Sequence, residues 1–264
     1  MDLGLTDRSV IVTGAGSGIG LETTKQLLDE GAIVTGVDLD THALEKLAVE
    51  TEALKFVEAD LTDPSTASRV LETALGAAGR VDGLISCAAV APVRSSVLEG
   101  TDDDWRRTID INFLSIVRMC REVVPAMKRT GGGTIVSVAS DAGRMPDPFF
   151  AEYNVTKASI LMFMKALSIE VGPDGIRVNT VSPGPVRTPM WDRPGGFTDS
   201  LAEAYGMERE EAIRHFALEV RRLPLERLGN VSEVAAVLLF LTSSRSSFVT
   251  GAEYTVNGGS VPTV

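Results

Sequence analysis

Ser9-Val10-Ile11-Val12-Thr13-Gly14-Ala15-Gly16-Ser17-Gly18-Ile19-Gly20 is the stretch that decides the fold. Its first half is short and apolar on both faces, which reads as a strand buried inside a parallel sheet. Its second half sets four glycines where the chain turns back into a helical pattern, residues 21–30, that stops at Gly31. A strand, a glycine-rich turn and a helix open a βαβ unit. Glycines let the backbone turn tightly and let an anion approach the free N–H groups at the helix start. Gly14, Gly16, Ser17, Gly18, Ile19 and Gly20 are therefore candidate pyrophosphate contacts.

The same alternation runs outward from this unit. Strand-like runs stand at 32–37, 54–57, 83–86, 134–138, 177–181 and 253–256, and helical patterns at 44–50, 65–78, 102–129, 153–171 and 232–242. Apolar strands alternating with helices imply an α/β fold: a doubly wound Rossmann-type parallel sheet with helices on both faces. No linker, repeat or low-complexity stretch divides residues 1–264, so a single domain is expected. Ligands on such sheets bind beyond the carboxyl ends of the strands, which directs attention to the residues after each strand.

Composition narrows the function. A net charge of -11 disfavours nucleic-acid and anionic-membrane partners. Two cysteines without metal-ligand spacing and two histidines give no metal site. The longest apolar runs, such as 234–241, are too short for a membrane span, and Met1-Asp2 leads straight into a strand pattern without a leader. A cytoplasmic protein is expected.

Asp38 and Leu39 end the second strand, about 20 residues beyond the glycines. An acidic residue there can accept hydrogen bonds from an adenosine ribose and repels a 2'-phosphate. Ala15, Ser17 and Leu39 provide no compensating cation, so the cofactor expected is NAD rather than NADP. Asp60 and Leu61 follow the third strand and are placed for the adenine; the other reading of Asp60 is a helix N-cap, a role Asp63 before Pro64 fills better.

Tyr153 and Lys157 are four residues apart on one helix face. A phenol with pKa ~10 is a poor base at neutral pH, and a nearby ammonium favours its phenolate. Tyr153 is thus a candidate proton-transfer group, tuned by Lys157. Ser140, just past a strand end, is placed to hydrogen-bond a substrate oxygen. Asn112 is a poor residue for mid-helix, either serving a local role or sitting buried and satisfied.

These residues together resemble the single-domain branch of the short-chain dehydrogenase/reductase family over nearly the whole chain. TGxxxGIG stands as Thr13 to Gly20 and YxxxK as Tyr153 to Lys157, and Asn112, Ser140, Tyr153 and Lys157 match the family's catalytic tetrad. The resemblance implies hydride transfer between NAD and a secondary alcohol or ketone. It implies that Lys157 bonds the nicotinamide ribose, that Pro183, Gly184, Val186 and Thr188 cover the nicotinamide, and that the chain forms a homotetramer or homodimer. Phe113, Ile116, Met162 and Phe163 would supply apolar outer positions for that assembly. One departure is Ser86-Cys87-Ala88-Ala89, where the family has NNAG. Ala88 and Ala89 would border the ribose, Ser86 would take over part of the strand tie made by the first Asn, and Cys87 would be packed rather than reactive.

The family closes its substrate pocket with the segment after Thr188, here about 189–222, with the composition of a lid. Expected wall residues are Val90, Ala91, Val93, Met145, Phe149 and Phe150, with Pro185, Met190 and Trp191. They favour a neutral hydrophobic or cyclic substrate, with Asp141, Arg144, Asp147 and Asp192 as candidates to orient polar groups. The alternatives are an NADPH-dependent 3-oxoacyl carrier-protein reductase and a dinucleotide-binding sensor without catalysis. Asp38 and the acidic balance speak against the first, and the complete tetrad against the second.

Overall fold

Alternation along the central strands decides how the layers pack. Val10 and Val12 of β1 (Ser9–Thr13) join one apolar cluster with Leu27, Val234 and Leu238, while Ile11 joins another with Val70, Val123 and Ile160. Successive side chains of a strand point to opposite faces, so one short run binds helices on both sides. The computed structural model describes residues 2–261. After β1 come β2 (Ile33–Asp38), β3 (Leu54–Glu58), β4 (Gly83–Ser86), β5 (Gly133–Val138), β6 (Ile176–Pro183) and β7 (Glu253–Val256). All pair in parallel, in the order β3-β2-β1-β4-β5-β6-β7. The order reverses between β1 and β4, and a crevice opens there at the carboxyl ends.

The α-helices are α1 (Gly18–Asp29), α2 (His42–Ala48), α3 (Thr66–Ala78), α4 (Asp102–Ile109), α5 (Ser115–Arg129), α6 (Ala151–Val171), α7 (Pro189–Asp192), α8 (Phe197–Tyr205), α9 (Arg209–His215) and α10 (Val231–Thr242). The helix expected over 102–129 spans those residues but carries a π turn at Asp110–Leu114, between α4 and α5. Thr101 fixes its start with a capping box: the Asp104 N–H donates to Thr101 Oγ1 at 3.2 Å, and the Thr101 N–H donates to Asp104 Oδ2 at 3.0 Å.

The segment after Thr188 folds into α7, α8, α9 and a π turn at Phe216–Val220. Leu201, Ala212 and Phe216 give it a small core of its own, packed with Trp191 and Phe197. Of the residues expected to face outward, only Met162 is exposed. Ile116 is buried, and Phe113 and Phe163 meet edge to face at 5.7 Å. Among the described residues no helix is long and apolar enough to cross a membrane.

Candidate active site

The glycine loop is held by contacts that admit no side chain. A Cβ on Gly16 would lie 2.1 Å from the Asp40 carbonyl oxygen, and one on Gly20 would lie 2.0 Å from that of Gly14. Gly14 adopts φ +67° and passes the Ala88 backbone, where a Cβ would come within 2.7 Å of the nitrogen. Ser17 caps α1 without a side-chain hydrogen bond, so the first N–H groups of α1 stay available to an anion. Asp38 Oδ2 accepts from the Gly16 N–H at 2.8 Å and Oδ1 from the Asp40 N–H at 3.2 Å. The carboxylate thus fastens the loop to the end of β2. Asp60 Oδ1 accepts from the Thr62 N–H and hydroxyl, both at 2.8 Å, closing a turn rather than capping a helix. Asp63 likewise closes a turn on Ser65, which is itself the residue at the cap of α3.

A cleft of about 680 Å³ joins this loop to the tetrad region. Gly14, Ser17, Gly18, Ile19 and Gly20 line one end with Asp38, Leu39, Asp60 and Leu61; Ala88, Pro183, Gly184, Val186 and Thr188 line its middle. Gly16 lies behind Asp38 and braces the loop. Thr188 faces the glycine loop, its methyl 3.7 Å from where a Gly18 Cβ would stand. The Val186–Gly229 bridge uses the neighbouring Arg187 N–H and Pro185 carbonyl, so the Val186 N–H takes no part in it. An uncapped helix start, a cradle that a Cβ would fill and an acidic strand end fit a dinucleotide.

Ser140, Tyr153 and Lys157 also line the cleft. Lys157 is buried; its Nζ donates to the Val138 carbonyl at 2.7 Å and lies 5.3 Å from the centre of the Tyr153 ring. Asn112, in the π turn, is wholly buried. It accepts from the Val90 N–H at 2.8 Å, donates to the Val90 carbonyl at 2.9 Å and reaches Thr156 Oγ1 at 3.1 Å. It anchors the wall after β4 to α6, and a π turn is a usual way to aim such a side chain.

Desolvation, Ser140 and Asp141 set the Tyr153 phenol, and Lys157 is not among the groups that shift it. Burial pushes the Tyr153 phenol up to about 12; the Ser140 hydroxyl pulls it down and Asp141 pushes it further up. Burial lowers the Lys157 ammonium to about 8. Both shifts favour the neutral forms, so Tyr153 is held as a proton donor.

Three further expectations change. Ser86 Oγ is buried without a hydrogen-bond partner, so it does not tie the strands; Thr13 does, accepting from the Cys87 N–H through its carbonyl at 3.1 Å. Cys87, by contrast, is as expected: desolvation raises its thiol to about 12, which keeps it in the unreactive protonated form. Of the expected walls, Val90, Ala91, Val93, Phe150, Pro185, Met190 and Trp191 line the cleft, but Met145 and Phe149 do not. Asp141 and Asp147 line it too, whereas Arg144 is paired with Glu253, and Asp192 with Arg187. Sequence reading missed Phe197, Phe216 and Arg221. The first two were legible only as lid hydrophobics, and Arg221 gave no signal beyond its charge.

A phosphate-binding strand–turn–helix and a Ser-Tyr-Lys group on one cleft, with Ser140 and Lys157 buried and Tyr153 half-buried, define a dinucleotide-dependent oxidoreductase. The family model described as enoyl-(acyl carrier protein) reductase matches residues 14–261. The 2-dehydro-3-deoxy-L-rhamnonate dehydrogenase (NAD(+)) of a Sphingomonas species is 31% identical, covering 96% of this chain and 94% of its own. The 3-oxoacyl-(acyl-carrier-protein) reductase FabG of Thermotoga maritima is 34% identical over 97% of this chain and 99% of its own. The crystal structure of L-sorbose reductase from Gluconobacter frateurii, complexed with NADPH and L-sorbose, superposes with a TM-score of 0.92 at 30% identity and covers 100% of both chains. The chain belongs to the short-chain dehydrogenase/reductase family, whose members here are oxidoreductases acting on CH–OH groups.

Proposed function

We propose that this protein is an NAD(H)-dependent oxidoreductase that interconverts a secondary alcohol and a ketone on a hydrophobic or cyclic substrate. The observation that carries this reading is the single cleft joining Asp38 and the uncapped start of α1 to Ser140, Tyr153 and Lys157. When bound, the nicotinamide supplies the site from which hydride leaves or to which it returns. Gly14, Ser17, Gly18, Ile19 and Gly20 receive the pyrophosphate, on a loop that Gly16 braces through Asp38; Asp38, Leu39, Asp60 and Leu61 receive the adenosine. Ala88, Pro183, Gly184, Val186 and Thr188 hold the nicotinamide end, where Lys157 also reaches the ribose. Ser140 hydrogen-bonds the substrate oxygen, Tyr153 gives its proton to that oxygen in the direction of reduction, and Asn112 keeps the Val90 wall and α6 in register. The lid, about 189–222, brings Trp191, Phe197 and Phe216 over the reacting end. Two free thiols fit a reducing compartment such as the cytoplasm.

An NADPH-dependent 3-oxoacyl carrier-protein reductase is the competing reading, favoured by the Thermotoga maritima relative. Asp38 weighs against it, because a carboxylate at the end of β2 repels a 2'-phosphate. The basic residues lining the cleft, Arg107, Lys157, Arg193 and Arg221, belong to α4, α6 and the lid rather than to the ends of β2 and β3. Fluorescence titration with NADH and NADPH tests this. The wild type should prefer NADH about tenfold or more, equivalent to about 1.4 kcal/mol, and Asp38→Ala should lose the preference. Tighter binding of NADPH by the wild type would put the carrier-protein reductase first.

A further inference from the structure

The residue after Ser140 is a buried carboxylate that nothing in the tetrad requires. Asp141 is 5% exposed. Its Oδ1 accepts from the Ser140 hydroxyl at 3.2 Å. Its Oδ2 accepts from Arg221 Nη2 at 2.5 Å and from the Ser260 hydroxyl at 2.8 Å. Three distant pieces of chain therefore converge on one carboxylate: the end of β5, the close of the lid and the C-terminal segment. Arg221 is delivered by a π turn at Phe216–Val220, and Arg222 follows at φ +48°, left-handed backbone that a non-glycine residue adopts at a cost of about 1 kcal/mol or more. Asp141 and Arg221 both line the cleft beside Tyr153.

A hydroxyl has one hydrogen to donate. If Asp141 were a bare carboxylate it would hold the Ser140 hydrogen strongly, away from a substrate oxygen, because a hydrogen bond to an ion is about twice as strong as a neutral one. It would also stand as an uncompensated negative charge against the phenol that must exchange a proton. We propose that Arg221 and Asp141 are positioning residues for Ser140 and Tyr153: the lid arginine neutralises the carboxylate, which weakens its hold on the Ser140 hydroxyl, a contact of 3.2 Å, so that a substrate oxygen can take that hydrogen, and balances the charge beside the tyrosine. This rests on the reading of Ser140 and Tyr153 as the groups that meet the substrate oxygen.

The other charged groups around Tyr153 are accounted for. Lys157, on the same helix, donates to the Val138 carbonyl at 2.7 Å, stands 5.3 Å from the centre of the Tyr153 ring and is the same in all four proteins compared below. Glu152 is paired with Arg94. Asp147, before α6, spends its carboxylate on the Phe149 N–H. Arg107 and Arg193 line the cleft from α4 and the lid. Among these, Asp141 is the group whose charge raises the Tyr153 phenol.

The test reads the phenol directly in the full-length protein. The chain has three tyrosines, so carbon-13 at the tyrosine Cζ positions gives three signals, and Tyr153→Phe assigns one of them. The pH at which that signal begins to move is followed in four proteins. Relative to wild type it should fall by about half a pH unit or more in Asp141→Asn and rise by a similar amount in Arg221→Met. Arg221→Lys, which keeps the charge, should stay close to wild type. An unchanged onset in Arg221→Met, or a shift of both charge-removing variants in one direction, overturns the proposal. So does Arg221→Lys behaving like Arg221→Met. If Asp141→Asn does not fold, the two Arg221 variants carry the comparison alone. No substrate is needed, so failure here is distinct from a failure to turn over any alcohol or ketone, which would count against the functional reading.

Discussion

A desolvated phenol keeps its proton, and that is the property half-buried Tyr153 brings to the cleft. Its pKa near 12 lies above the usual 10 because burial penalises the phenolate. The unfolded chain therefore gives up this proton first as pH rises through 10, while the folded chain holds it until about 12. Below pH 10 both states are protonated and the group adds no pH dependence; between 10 and 12 it favours unfolding. Tyr153→Phe should remove that alkaline loss, about 3 kcal/mol across the window at about 1.4 kcal/mol per unit. Denaturant unfolding of both proteins at pH 9 and 11.5 measures it. The same variant should lose turnover by about 10²-fold or more, the usual worth of general acid–base catalysis, while binding NADH as before. Retained turnover would remove Tyr153 from the chemistry. That Ser140, Tyr153 and Lys157 meet on one cleft was legible in the sequence because Tyr153 and Lys157 share a spacing and Ser140 follows a strand. The direction of the shifts was not, because desolvation depends on neighbours such as Val138 and Ser140 closing over the side chains. Arg221 was not legible as a site residue either: it meets Asp141 across 80 positions of sequence.

At the scale of elements, two glycines separate a turn requirement from a helix liability. Gly20 sits in the first turn of α1, and a Cβ there meets the Gly14 carbonyl at 2.0 Å. Backbone cannot swing away as a side chain can, so Gly20→Ala should cost about 1–3 kcal/mol and weaken NADH binding. Gly76 lies inside α3, with nothing within 4 Å of its would-be Cβ. Gly76→Ala should stabilise by about 0.5–1 kcal/mol, through lower unfolded-state entropy and better helix propensity, and leave NADH binding alone. Thermal unfolding of the two variants should move in opposite directions; a stable Gly20→Ala that binds NADH normally would refute the packing argument for the loop. The strands and the sheet-covering helices were legible because buried runs and 3.6-residue periodicity are local properties. β4 and β7 agree with expectation at both ends. The π turn holding Asn112 was not legible, since one extra residue in a helical turn leaves the apolar pattern nearly unchanged. α8 was also missed; it follows Pro194-Gly195-Gly196, which reads as loop, and its apolar face exists to bury Phe197 and Leu201 within the lid.

At the scale of the whole molecule, α6 presents an apolar face that its own fold does not bury. Val155, Met162 and Ile169 recur every seven residues along α6 and are 48%, 74% and 71% exposed. Seven residues are nearly two helical turns, so these three form one apolar stripe on the outer face. The opposite face of the same helix buries Lys157, Ile160 and Met164. We propose that the stripe packs against its own copy in a homotetramer or homodimer, since a two-fold axis sets each patch against itself. The net charge of -11 opposes association at low salt, and screening should strengthen it as salt rises. A Met162→Glu, Ile169→Glu double variant would place four carboxylates across such an axis, against one exposed α6 lysine per chain, Lys165, which already donates to the Gly251 carbonyl, a cost that desolvation makes larger than mere loss of apolar area. Sedimentation should find the wild type as an assembly and the double variant as a particle of 28.0 kDa. Tyr153 and Lys157 share α6 with the stripe, so the free monomer should also show lower turnover, with less change in NADH affinity, because the glycine loop and Asp38 lie on β1, α1 and β2. A wild type that sediments at 28.0 kDa across the salt range would mean that α6 faces solvent and the stripe has no partner of its own kind.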